Sequence, residues 1–103
     1  MTKYLIKQVQ HDTIGDDTAF NLRRGSVEKT KDALRDGGIY RDSAYILADN
    51  LDEVFEIGNI HHEYVERIGK FYSISVGDVI VNTETRIANL VMPIGFSELG
   101  EVA

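Results

Sequence analysis

The first apolar run of the chain, Tyr4 to Val9, reads as a β-strand, and the polar residues 10–18, centred on Gly15-Asp16-Asp17, read as the turn after it. Phe20 and Leu22 then alternate with Asn21 and Arg23. That is the period of two of a half-buried strand, so the first two strands are expected to pair as a hairpin. From Val27 the period lengthens. Val27, Thr30, Ala33 and Leu34 form a narrow stripe on a helix, with Lys29, Lys31, Asp32 and Arg35 on its wet side. Ser26 stands where a hydroxyl can accept an orphan N–H of the first turn, and Gly37-Gly38 supplies the left-handed geometry that ends a helix.

Residues 40–49 are apolar in both phases from Ala44 to Ala48, which predicts a strand inside the sheet, covered on both faces. A second helix is expected from Asn50, whose side chain caps it, with Glu53 reaching back toward the capping residue's N–H. Leu51, Val54, Phe55 and Ile57 form its expected buried face, so truncating Phe55 to Ala is expected to cost about 3–5 kcal/mol. Residues 61–71 lack a period and read as a loop or short helical turn. Three short strands complete the chain: Tyr72–Val76, Val79–Asn82 and Arg86–Met92. The resulting order, ββαβαβββ, predicts an α+β fold with two helices packed on a mostly antiparallel sheet. A length of 103 residues suits a single globular domain, residues 1–103.

Composition narrows the function classes. Hydrophobic residues make up 43 % and charged residues 27 % of the chain, an ordinary globular balance. No cysteine is present, which excludes disulfides, thiolate metal sites and cysteine nucleophiles. The formal charge of −6 opposes binding to nucleic acid, because phosphate recognition draws its affinity from Lys and Arg. It leaves open an acidic mimic of nucleic acid, although solubility explains the same excess. No apolar run is long enough to span a membrane, and the N-terminal apolar trio is too short for a signal peptide, so a cytoplasmic protein is the default expectation.

Candidate chemistry is sparse. His61-His62-Glu63, with His11-Asp12 brought close by folding, is the nearest approach to a metal site. Its histidines are adjacent rather than four apart, so a wet loop and no metal or cofactor are expected. Ser73, Ser75 and Asp78, with one of the histidines, suggest a small ligand-binding or hydrolytic site. Yet no serine sits in a nucleophile elbow, and Ser-Ile-Ser is a strand alternation, so no catalytic residue is assigned. Ser73 and Ser75 are expected to face solvent, with Tyr72, Ile74 and Val76 inward. Gly77-Asp78 is expected to turn the chain, the Asp carboxylate accepting backbone N–H bonds. Asp16-Asp17, Asp49 and Asp52-Glu53 lack calcium-loop spacing. Five aromatics, Tyr40, Tyr45, Tyr64, Phe71 and Tyr72, exceed what two small helices need to cover, and tyrosines left exposed suit a protein interface.

Three motifs in order, "ADNLDEVFEIGNI", "SISVGDVIV" and "MPIGFSEL", span Ala48 to Leu99. Together they resemble a group of small phage-encoded proteins related to YodL-like domains. Those proteins carry a D-L-D-E-V-F helix, an S-x-S-V-G-D-V-I segment and a G-F-x-E-L-like tail. Tyr64 is the nearest aromatic to the place where that group carries a Trp in the loop after the helix. The resemblance implies a phage or mobile-element lineage and supplies no catalytic residues. The reading it favours is a non-enzymatic module that binds a protein partner, with Ser73, Ser75, Asp78 and Tyr64 as the interaction surface and self-association left open.

Overall fold

The computed structural model describes residues 1–9 and 22–101. The first apolar run forms β1, Thr2–Val9. Ser26 caps α1, Val27–Asp36, accepting the Lys29 N–H at 3.3 Å, and Gly37 closes it at φ 78°. β2 spans Tyr40–Ala48 and α2 Leu51–Ile60. The Asn50 side chain accepts the Glu53 N–H at 2.9 Å, while the Glu53 carboxylate reaches the N–H of Asp49, one residue before the cap, at 3.3 Å. A 3-10 turn at His62–Tyr64 leads into β3, Val65–Arg67. β4, Val79–Asn82, β5, Ile87–Val91, and β6, Phe96–Glu101, complete the order.

The fold is α+β, with the two helices set against a six-stranded sheet ordered β3-β2-β1-β4-β5-β6, every neighbour antiparallel. The order departs from the expected ββαβαβββ in three places. Leu22 and Arg23 are helical rather than extended, in a turn over residues 22–25 that the Gly25 N–H closes onto the Leu22 carbonyl, and β1 pairs with β2 and β4 instead of forming a hairpin with a strand there. The rest of that expected strand lies outside the described residues, as do the 10–18 turn, His11-Asp12 and Asp16-Asp17. Residues 72–76 are not a strand, and two strands unforeseen in the sequence, β3 and β6, form the sheet's edges.

Alternation along the central strands divides the interior in two. Tyr4, Ile6, Ile46 and Ile80 pack under α2 with Val54 and Ile74, whereas Val79, Val81, Ala88 and Leu90 face the opposite way toward Ala33 of α1. β2 does lie inside the sheet, but its two-sided burial is incomplete: Leu47 is exposed and Tyr45 half-buried.

The buried stripe of α2 is rotated from its expected position. Val54 and Gly58 face the core, Leu51 and Ile57 are half-buried, and Phe55 is 39 % exposed, its ring meeting Phe96 edge-on at 6.4 Å. Gly58 explains the rotation. A Cβ there would collide with Ile74 Cδ1, so the missing side chain is the notch that Ile74 fills. Phe55→Ala is therefore expected to cost about 1 kcal/mol, the scale of one aromatic pair with partial burial, rather than a core truncation. Urea denaturation checks this; a loss above about 3 kcal/mol would return Phe55 to the core.

Candidate functional site

Residues 71–76 pass beside the sheet without entering its ladders, and Gly77 and Asp78 return the chain to β5. The turn at Ser75–Asp78 closes with Asp78 N–H donating to the Ser75 carbonyl at 3.0 Å, while Ser75 N–H donates to Asp78 Oδ2 at 2.9 Å. This is the backbone-accepting role expected of that carboxylate. Gly77, at φ 96°, donates its N–H to the Val91 carbonyl at 3.0 Å, and the Val91 N–H returns to Asp78 O at 2.9 Å, tying the turn to β5.

The remaining anchor comes from the far end of the sequence. Gln8 follows Tyr4 and Ile6 on the same face of β1, so its amide is buried where an apolar residue would be expected. Its Oε1 accepts the Tyr72 N–H at 3.1 Å, and its Nε2 donates to the Tyr72 carbonyl at 2.8 Å and to Asp78 Oδ2 at 3.0 Å. One side-chain amide thus gives Tyr72 the two bonds that a neighbouring strand would have given. The Tyr40 hydroxyl donates to the Gly77 carbonyl from the other side.

Only 7 % of Asp78 remains exposed. Burial pushes its carboxyl up to about 6, outweighing the Ser75 N–H, the Gln8 amide and the positive charge of Arg23, which all favour the ionised form. Burial likewise pushes the Tyr40 phenol up to about 12. The cleft over the carboxylate, lined by Gln8, Val9, Arg23, Tyr72, Ser73 and Ser75, has a volume of about 30 Å³. That is room for a water or two and too little for an organic substrate.

Ser73 and Ser75 point to solvent and Ile74 is buried, as the alternation implies, but Val76 is only half-buried and Tyr72 is exposed rather than inward. Tyr72 turns out because its backbone is turned in, onto Gln8. Ser73 Oγ lies 3.4 Å from His62 Nε2. The same nitrogen lies 2.7 Å from the Gly58 carbonyl, which can only accept, so Nε2 carries the proton and has no lone pair to activate a serine. Asp78 is bonded to the backbone and to Gln8, not to an imidazole, so the groups do not assemble as a catalytic triad.

The two adjacent histidines diverge. His61 Nδ1 pairs with Glu63 at 3.5 Å, while the His62 ring meets Phe71 edge-on at 5.4 Å. Among the described residues no three His, Asp or Glu side chains converge on a point. Tyr64 is 69 % exposed, its ring 6.3 Å from that of His61. The structure therefore brings Ser75 and Asp78 together in one turn, with Ser73 lining the same cleft, and leaves Tyr64 apart from them beside His61. The anchoring roles of Gln8 and Tyr40 are not foreseen in the sequence, where Tyr40 counts only among the surplus aromatics. For Gln8 one signal existed, a polar residue in the buried phase of a strand; Tyr40 gave none.

No family model matches the chain, and no curated protein or solved structure matches it. No helix among the described residues is long and apolar enough to cross a membrane.

Proposed function

We propose that this chain is a non-enzymatic protein-interaction module of a phage or mobile element, acting in the cytoplasm of the host. Its contact surface is formed by Tyr64, Tyr72, Ser73 and Ser75. The observation that carries this reading is the contrast between occupied chemistry and exposed aromatics. The carboxylate and the imidazole nearest the serines are spent on backbone groups and the Gln8 amide, while Tyr72 stands in solvent beside a turn braced by Gln8, Tyr40 and Asp78, and Tyr64 stands in solvent on the 3-10 turn after α2. Tyrosine supplies large contact area with little side-chain entropy to lose, so it is enriched where proteins meet. The three motifs between Ala48 and Leu99 support the phage setting.

Affinity capture from bacterial lysate with the parent, a Tyr64→Ser/Tyr72→Ser variant and a Ser73→Ala/Ser75→Ala variant tests the reading. Both variants should unfold within about 0.5 kcal/mol of the parent, as exposed positions do. The tyrosine variant should lose a protein that the parent retains stoichiometrically. Equal retention by the parent and the tyrosine variant would move the contact surface elsewhere. Substrate turnover abolished by His62→Gln would replace the module with an enzyme.

A further inference from the structure

We propose that residues 71–76 form a strap over the sheet whose closure is governed by protonation of Asp78. The geometry that points there is the way the segment is held. It has no ladder to a neighbouring strand. Apart from the backbone bond from the Asp78 N–H to the Ser75 carbonyl, its polar fastenings to the sheet among the described residues are side chains: the Gln8 amide on both backbone groups of Tyr72, and the Asp78 carboxylate on the Ser75 N–H. These fastenings form one unit, because Gln8 Nε2 divides its donation between Tyr72 and Asp78 Oδ2. Two apolar anchors, Phe71 and Ile74, oppose opening, so the closed strap dominates and protonation adjusts a minor open population.

The direction follows from solvation. With the strap closed the carboxyl is buried, which favours its neutral form; with the strap open it meets water and ionises at its ordinary value. Rising pH therefore favours opening, and proton binding favours closure. The groups facing Asp78 among the described residues are Arg23 from the 22–25 turn, Tyr40 from β2 and the uncharged Gln8 from β1; β5 contributes backbone only. Arg23 limits the effect and Tyr40 stays neutral throughout. On the outer side His62 touches Ser73, a second titratable group that the experiment has to separate.

Amide hydrogen exchange resolved by residue supplies the test, with rates corrected for the intrinsic pH dependence of exchange. A carboxyl at about 6 when closed and at 3.8 when open makes the open fraction about tenfold larger at pH 7.5 than at pH 5. Protection of Tyr72 and Ser75 should fall by that factor, while amides of β1 and β4 change less. Asp78→Asn, which keeps an acceptor oxygen for Ser75 and Gln8, should abolish the dependence, and His62→Gln should leave it. A dependence that survives Asp78→Asn, disappears in His62→Gln, or runs equally through the sheet would overturn the proposal. Carboxyl-carbon NMR of the parent gives a check that needs no variant. An Asp78 midpoint near 6 supports the strap, and one below 5 removes it. No partner enters any arm, so the outcome is independent of the interaction reading.

Discussion

Gly77→Ala is expected to destabilise the protein by about 3 kcal/mol, whereas Gly37→Ala should cost about 1 kcal/mol. The two glycines share a left-handed φ, 96° and 78°, so the intrinsic penalty on an added Cβ is similar at both. Their surroundings differ. A Cβ on Gly77 would lie 2.6 Å from the Leu22 carbonyl oxygen and 3.0 Å from its carbon, while nothing lies within 4 Å of one on Gly37. The obstacle at Gly77 is backbone, not the end of a flexible chain, and the Leu22 side chain is wholly buried, so the 22–25 turn has no easy way to retreat. Retreat of the 75–78 turn instead would strain the bonds from Gly77 to Val91 and from Tyr40 to Gly77. Urea denaturation of both variants decides it. Equal losses would mean that the turn does not press on Leu22.

Gln8→Leu is expected to cost about 2 kcal/mol at pH 7.5 and distinctly less at pH 4.5, the scale of removing a donor from one buried carboxylate and leaving two part-buried backbone groups unpaired. The substitution keeps roughly the same bulk and adds apolar surface. It strands the Tyr72 N–H and carbonyl and removes one donor from the Asp78 carboxylate. The pH dependence arises from Asp78. A carboxyl raised above its unfolded value by the fold lends stability below that unfolded value, here 3.8, and the contribution is lost as pH rises through the folded value near 6. Without the Gln8 donor the folded value moves higher still, so at pH 7.5 the variant holds a buried charge with less support than the parent gives it. At pH 4.5 the carboxyl is mostly neutral in both proteins, and only the Tyr72 groups distinguish them. A cost independent of pH would show that Gln8 acts through Tyr72 alone.

What the sequence disclosed was local. Both helix caps, Ser26 and Asn50, were legible because a cap bonds within three residues of itself, and so was the left-handed stop at Gly37. The Ser75–Asp78 turn was legible for the same reason. Errors arose where a distant residue altered the meaning of a local pattern. Tyr72 to Val76 alternates like a strand, and its backbone does seek a strand's bonds, but Gln8 makes them from a side chain 64 positions away. Phe55 occupies the helical position that would normally be buried, yet Gly58 receives Ile74 and turns the helix away from it. β6 was missed because Gly95, Gly100 and two glutamates weaken strand propensity; an edge strand with one free side tolerates them. The candidate site was half visible for the same reason: its turn is contiguous, and its anchors at Gln8 and Tyr40 are not.

β1 lies between β2 and β4, and this placement bears on how the chain emerges from the ribosome. β2 follows soon enough to pair with β1 early, but the partner of Lys7 on the other side is Val79, and the partner of Tyr4 is Asn82. At ordinary translation speed β1 waits roughly 4–15 s between its own synthesis and that of β4. Through that interval the growing polypeptide presents a central strand as a temporary edge, open to any other extended segment nearby. Lys3, just before the apolar run of β1, and Lys7, within it, place positive charge along that strand, and such charge discourages mispairing in the way lysines guard permanent edges. Replacing both with threonine would remove the Lys7–Asp42 ion pair and the Lys3 contact with the Tyr45 ring, costing the finished sheet about 1 kcal/mol, and lower the yield of soluble protein during synthesis.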